Sequence, residues 1–592
     1  MRTGGKKERI LLLISALCAA VLLINVLYPL RNVMMSCSDS LAEFIFARTS
    51  ESSRAYVRGL EFCLARGRIG FIFPLVTAFR LSVFRSGSFT AMWLLQYVPV
   101  VMNIALISFL IARRTKPVYG IFFASLFLSL LQVTGWHSLI ICYPLDFMYG
   151  LFISVLSMWF YDISLTSSSG RKRFIFLILS IFLYYESMQV YEAFLFTGIV
   201  YLWISLSHRK EKEDGILHRF IDVVPHLAAA VCYIGIFLWI SAHPVTDMAT
   251  NDITTIGTAG GFAVTLASFS GGMLPGVPLL SSSVREGIKG ASVTPLLAVA
   301  AFTAAAAVLV TCLLIFRDKD AKKHNAKLFS IVISGVITAV FFPVMHAATK
   351  RYQDWVLIGK QPGYVPTVIC YFGWTVAASC FLCILMNILS GKKKSVRITA
   401  VSVSCVLFFF MTILTGLINR TIMKNDIGPS SPMVSLRAQA FYELCDGSEL
   451  PSSGCELMYL DGYSGVHGDV GYNRMLMENM TGYGKTPLLT TSESEFAGLV
   501  DGYAYPYIFR YDADSDTGLL IPVTRKDDEG RLFSSGRIII YSAHGGGIEV
   551  TVTDLTGNKT TVSLDTSGKR ESVVELKGET AVNGGIDVSA KP

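Results

Sequence analysis

The chain has 592 residues, 52% of them hydrophobic, with 51 Lys and Arg against 43 Asp and Glu and a formal net charge of +8. A mean hydropathy of +0.52 excludes a soluble globular protein of this length. The positive charge sits in short loops between apolar runs, where it reports membrane orientation rather than a nucleic-acid partner.

In chain order, the apolar periodicity predicts about 11 helices, at 10–30, 90–112, 118–134, 139–160, 174–190, 191–207, 222–242, 293–316, 328–346, 364–390 and 398–418. Runs of this kind approach the roughly 20 residues that span a hydrocarbon core about 30 Å thick. The first follows Arg2, Lys6, Lys7 and Arg9 and is read as a retained helix, because the run is long and no small-residue cleavage site follows it. Lys and Arg fall in every second connection: four at the N-terminus, three in Arg113–Lys116, three in Arg171–Arg173, four in His208–Arg219, five in Arg317–Lys327 and four in Lys392–Arg397. The short loops near Trp136 and Gln189 have none. This alternation places the N-terminus in the cytoplasm of a multi-pass plasma-membrane protein. Three long loops, at 31–89, 243–292 and 347–363, then lie outside, with everything after about 420.

The expected fold is therefore mainly α: a polytopic transmembrane helical bundle over 1–420 and an extracytoplasmic β-rich domain over 421–592. The tail reads as β-rich, with strands at Cys455–Leu460, Arg537–Tyr541, Gly547–Val552 and Thr560–Leu564 between turns such as Asp461-Gly462 and Thr556-Gly557-Asn558. A small β-sandwich-like module fits, led in by a helix near Met433–Leu444. Of the 12 Cys, Cys37 and Cys63 share the first loop and Cys445 and Cys455 the tail; each pair reads equally as a disulfide or as free thiols. Asn-x-Thr triplets at Asn419, Asn479 and Asn558 map to the outer face.

The first outer loop is the richest in chemistry. Asp39 and Glu43 are four residues apart and would share one face of a helix. The loop carries eight Arg, among them Arg48, Arg66 and Arg68, and no Lys. A guanidinium presents a planar fork that grips phosphate bidentately. An acid beside clustered Arg suits attack of a hydroxyl on a carbon activated by phosphate, the acid taking the proton and the Arg groups holding the leaving phosphate. The same residues also fit a plainer part: Arg side chains reaching lipid headgroups, and Asp39 capping a helix. Asp146, Glu186 and Glu192 lie near the outer ends of apolar segments, where ionisable groups are costly and point to function or to a watery connection. Lys350 and Arg351 offer a second cationic site or an interfacial anchor. There is no His/Cys zinc spacing and no G-x-x-x-x-G-K-[ST] loop, which argues against a nucleotide-driven pump.

A retained first helix, a long outer loop opening with an acid, a Gly67-Arg68 pair, about a dozen helices and an external C-terminal module together resemble the GT-C superfamily of membrane glycosyltransferases, especially the bacterial O-antigen glucosyltransferase (Gtr-like) group. The resemblance covers about residues 1–420 and implies a polyprenyl-phosphate sugar donor, taken from the lipid bilayer, and a cell-surface glycan acceptor. It makes Asp39 the catalytic base and likens 69–84 to a loop helix lying on the membrane. It likens Glu186 and Glu192 to acids lining the cavity, and Arg351 to a residue contacting the lipid phosphate. Many members carry two adjacent acids, whereas here Glu43 follows Asp39 a turn later. Which of the two is the base, and whether a divalent metal takes part, stay open. The rival expectation is a transporter or flippase for lipid-linked glycans, which needs ionisable groups at mid-depth on several helices.

Overall fold

The structure, a computed structural model, describes residues 6–32, 40, 43, 47, 52–65, 67–86, 89–134, 137–207, 216–243, 255–318, 320–358, 363–424, 457–461, 488–490, 492–512, 517–542, 547–565 and 571–590. The chain divides into two compact units. One comprises Met1–Arg31, Ser52–Val83 and Gly87–Ile422; the other comprises Asn32–Glu51, Phe84–Ser86 and Met423–Pro592.

The first unit is helical. Its elements are α1 (Lys6–Leu27), α2 (Ser52–Ala65), α3 (Phe73–Ser86, whose last three residues fall to the second unit), α4 (Phe89–Arg114), α5 (Pro117–Ser129), α6 (Asp146–Thr166), α7 (Gly170–Val190), a 3-10 turn Glu192–Thr197 and α8 (Gly198–Ser207). Next come α9 (Ile216–Ala242), α10 (Ala259–Gly271), α11 (Ser282–Lys289), α12 (Pro295–Phe316), α13 (Ala321–Phe341), α14 (Val344–Ala348), α15 (Lys350–Leu357), α16 (Val365–Leu389) and α17 (Lys394–Lys424). Among the described residues nine helices are long and apolar enough to cross a membrane, and two shorter apolar helices, Pro117–Ser129 and Glu192–Ser207, complete the set. Large apolar side chains such as Leu13, Leu17, Ile24, Val403 and Phe410 are more than half exposed, as a lipid-facing surface requires.

The sharpest departures from the expected boundaries fall at one place. The helix expected over 139–160 begins only at Asp146, and the one expected over 118–134 stops at Ser129. Of the residues between them, 131–134 and 137–145 are turn segments, largely buried, with left-handed backbone at His137 (φ 42°), Tyr143 (φ 51°) and Leu145 (φ 72°). Pro144 is one reason: it disfavours helical geometry at Tyr143. Tertiary hydrogen bonds are the other. Gln96 donates to the carbonyls of Leu139 (3.0 Å) and Cys142 (3.2 Å). Asn419 accepts from the Val133 N–H (2.8 Å) and donates to the Leu131 carbonyl (2.8 Å). Asn419 is thus a buried clasp within α17 rather than an exposed loop triplet.

Close helix contacts use glycine where backbones meet. A Cβ on Gly335 of α13 would lie 2.6 Å from the Gly373 carbonyl of α16, and the reverse distance is the same. Glycines in the second long loop have a similar reason. Gln353 of α15 fills the space that side chains at Gly257 and Gly261 would need. Its amide accepts from the Thr258 N–H (2.9 Å) and donates to the Thr258 (3.1 Å) and Ala347 (2.9 Å) carbonyls.

In the second unit, β1 (Leu457–Asp461), β2 (Leu488–Thr490), β3 (Pro506–Asp512), β4 (Thr517–Pro522), β7 (Arg537–Ser542) and β10 (Glu571–Glu575) form a six-stranded sheet in the order β10-β7-β4-β3-β1-β2. The remaining strands are β5 (Arg525–Lys526), β6 (Leu532–Ser534), β8 (Gly547–Thr553), β9 (Lys559–Asp565), β11 (Thr580–Ala581) and β12 (Ile586–Ala590), in three-stranded sheets β11-β6-β5 and β12-β8-β9. A core of Leu457, Phe496, Ile508, Leu519, Ile521, Ile538, Ile540, Ile548 and Val550 is buried beneath them. The tail is β-rich as expected, but it is not a simple antiparallel sandwich. β1 runs parallel to both β2 and β3, and a short helix, α18 (Glu493–Leu499), carries the chain from β2 to β3. The expected lead-in helix 433–444 lies outside the described residues.

α17 starts at the Lys392–Arg397 loop, so the chain reaches the β-rich domain from the face of the bundle opposite the Lys/Arg-rich loops. The protein is a polytopic membrane protein with an extracytoplasmic β-rich domain.

Candidate functional site

The end of the bundle away from the Lys/Arg-rich loops gathers a set of buried polar groups. Gly67 (φ 67°) turns the chain after α2, and Arg68 then points inward, only 6% exposed. Its guanidinium donates to both carboxylate oxygens of Glu192, at 3.2 and 3.3 Å from Nη2 and 3.4 Å from Nε. It lies 5.9 Å from the centre of the Phe73 ring. Burial works against the charge on Arg68, but the Glu192 carboxylate together with Tyr233 and Cys63 outweighs it and holds the guanidinium pKa above its ordinary value.

Three residues on, the chain closes over Glu186 at the last turn of α7. That carboxylate is fully buried and accepts the backbone N–H groups of Phe71 and Ile72, both at 2.9 Å. These N–H groups lie just before α3, so Glu186 sets its negative charge at the N-terminal end of that helix and complements its dipole. Gly70 makes the approach feasible, since a Cβ there would lie 2.9 Å from Glu186 Oε2 and 3.0 Å from Gln189 Cβ. Further along α3, Arg80 forms a buried ion pair with Asp146, the first residue of α6. The loop helix likened to 69–84 is seen as α3, held by acids of α6, α7 and the following turn.

An aromatic wall stands beside these pairs. Tyr143 meets Phe147 (5.1 Å between ring centres), Phe147 meets Tyr191 (4.7 Å), and Tyr191 meets His346 (5.2 Å). Tyr352 lies 4.8 Å from His346 and 5.2 Å from Tyr364, and Tyr364 lies 5.3 Å from His137. Burial, reinforced by the neighbouring Tyr352 and Tyr364, pushes the Tyr191 phenol pKa well up, so Tyr191 is an O–H donor at neutral pH. It is hydrogen-bonded to His346 Nε2, and the other ring nitrogen, Nδ1, is buried with no partner. Gln132 and Gln189, both fully buried, have neither amide atom bonded, and Ser138 Oγ and Asp146 Oδ1 are likewise unmatched. Buried polar atoms are normally hydrogen-bonded, so these groups are free to bond water or a ligand.

Of the expected site residues, Arg68 and Glu192 are in contact, and Glu186 is seated against the Phe71 and Ile72 N–H groups of the same unit. Lys350 and Arg351 are exposed at the start of α15, with the Arg351 guanidinium 5.0 Å from the Trp355 ring centre. Glu43 is half-buried in a helical turn and belongs to the second unit. Asp39, Arg48 and Arg66 lie outside the described residues, as do Cys37, Cys445 and Cys455 of the expected disulfides. The sequence offered Arg80 as one of the first loop's eight Arg, and Gln189 and Tyr364 as members of polar stretches, without their partners; Gln132 and His137 were not singled out. The available signal was a Gln, His or Arg set within an apolar run, which membranes tolerate only with a partner or a purpose.

No protein-family model and no curated protein matches the chain. Among solved structures it is similar to ArnT from Cupriavidus metallidurans in the apo state, with 10% sequence identity over 84% of this chain and 92% of that one and a TM-score of 0.34. At that degree of superposition the likeness bears on neither family nor activity, and any functional reading rests on the residues themselves.

Proposed function

We propose that the protein is an integral-membrane inverting glycosyltransferase that moves one sugar from a polyprenyl-phosphate donor to a cell-surface glycan. The observation that carries the reading is the outer-end assembly of paired acids and guanidinium groups, an aromatic wall, and buried polar atoms with no partner. Aromatic faces suit the C–H faces of a pyranose, and the unmatched Gln132, Gln189, Ser138 and His346 atoms suit its hydroxyls. The donor's prenyl chain stays among the lipid-facing helices. Asp39, or Glu43 in its place, takes the proton of the acceptor hydroxyl as it attacks the anomeric carbon opposite the phosphate. Arg48, Arg66 and Arg68 stabilise the departing phosphate, with Lys350 and Arg351 offering further positive charge. In this scheme Glu186 and Glu192 shape the site by fixing the segment that carries Arg68.

A second reading, a flippase for lipid-linked glycans, draws on a polar network within the spans. Tyr201 donates to Ser157 (2.7 Å), Ser157 Oγ lies 3.2 Å from Ser180 Oγ, and Ser180 Oγ lies 2.8 Å from His226 Nε2. Comparison of surface glycans with and without the gene, by mass and linkage, separates the two. Loss of one side-chain sugar supports transfer. Loss of whole polymers overturns it in favour of export.

A further inference from the structure

A cavity opens at the other end of the bundle, between α4, α6, α8, α13 and α16, with free space of about 970 Å³ counted to its open mouth. Its mouth carries Arg113, Arg114, Trp159 and Asp162, and its walls are largely apolar: Leu110, Met158, Val200, Ile331, Ile369 and Phe372 are typical. From Asp162 to Leu151 it follows α6 for eleven residues, about 16 Å at 1.5 Å per residue. That is half of a hydrocarbon core roughly 30 Å thick, the depth of one leaflet.

The charge at the mouth is not balanced. Arg114 pairs with Asp162. Arg113 has no carboxylate partner among the described residues, and its guanidinium lies 5.9 Å from the centre of the Trp159 ring. Two buried donors that line the cavity are also unmatched: the Trp159 indole N–H beside Arg113, and the hydroxyl of fully buried Ser154 deeper along α6. An apolar ligand alone would leave both unbonded. A ligand with an anion, acceptor oxygens just below it and a hydrocarbon chain would satisfy all of them.

We propose that this cavity is a binding site for an anionic phospholipid of the leaflet on the Lys/Arg-rich face. The phosphate sits at Arg113, an ester carbonyl accepts from the Trp159 N–H, and one acyl chain runs inward past Leu110 and Ile331. The site is separate from the outer-end assembly and stands whether or not that assembly transfers sugar.

The test uses the full-length protein in nanodiscs of equal phosphatidylcholine and phosphatidylglycerol. Native mass spectrometry counts the lipids retained after stripping, and a phosphatidylglycerol with a photoreactive acyl chain maps contacts. The wild type should keep one phosphatidylglycerol, at least fivefold in preference to phosphatidylcholine, and crosslink within α4 and α13. Arg113→Gln, a change at an exposed side chain, should abolish the preference. Arg317→Gln, on the same face but away from the cavity, should leave it intact. Ser334→Phe should displace the chain and its crosslinks. Equal retention of the two lipids, crosslinks confined to the outer surface, or an equal effect of both Arg variants would reduce the cavity to ordinary lipid packing and overturn the proposal.

Discussion

At the Lys/Arg-rich end of the bundle, the Arg173–Asp222 pair (2.8 Å) sits partly in solvent, with the Arg side chain 46% exposed. At the opposite end, Arg68–Glu192 and Arg80–Asp146 are largely removed from water, and unbonded polar atoms surround them. Stability alone does not call for the second arrangement, because a buried ion pair often gains no more than well-packed apolar side chains would. The solvated Arg173–Asp222 pair tolerates change, whereas Arg68–Glu192 and Arg80–Asp146 fix the path of residues 68–80 and the direction of Arg68.

The largest effect that sharpens this contrast is expected from Arg68→Ala. It strands a buried Glu192 carboxylate and should cost about 3–5 kcal/mol, read as loss of the folded fraction after graded heating in detergent. Arg173→Ala at the other end should cost no more than about 1 kcal/mol in the same assay. Equal losses would break the comparison. Next, Glu186→Ala removes the acceptor of two backbone N–H groups and should cost about 2 kcal/mol. Gly70→Ala, which forces a methyl group against Glu186 and Gln189, should cost about 1–3 kcal/mol. Both should increase protease cleavage within 66–72, and neither should do so if that loop is held by other contacts.

The smallest expected effect lies in the β-rich domain, in the turn between β8 and β9. Asp554 accepts from the Thr556 hydroxyl (2.7 Å), the Asn558 N–H (2.8 Å) and the Thr556 N–H (2.9 Å). The Thr556 hydroxyl first, then the Asn558 amide, hold its pKa down to about 2. A carboxylate depressed on folding contributes stability above its unfolded pKa of about 3.9, and that contribution is lost as pH falls through about 2. Asp554→Ala should therefore lower the melting temperature of the β-sheet signal at pH 6, with the difference from wild type shrinking between pH 4 and 2. A difference independent of pH would assign the effect to packing instead.

Much of this architecture is legible in the sequence because membranes impose length and charge rules. All eleven apolar segments correspond to helices, and the tail strands near 457–461, 537–542, 547–553 and 559–565 are expected from β-rich stretches set between turn residues. What was not legible depends on contacts distant in sequence. Apolar content alone could not show that one helix stops at Ser129 and the next begins only at Asp146, since Gln96 and Asn419 pin Leu139 and Leu131 between them from other elements. The acids Glu186 and Glu192 were visible, but their partners, 114 to 124 residues away, were not. The parallel pairing of β1 with β2 and β3 was hidden for the same reason: alternation gives a strand's faces, not its neighbours.

The most direct test of the central claim, that the outer end carries out sugar transfer, is the surface glycan of cells expressing the wild type, Asp39→Asn or Glu43→Gln at matched membrane levels. The account predicts that one of the two acid variants lacks a single hexose, as the gene deletion does, with the polymer backbone unchanged. Full hexose content in both acid variants would contradict it.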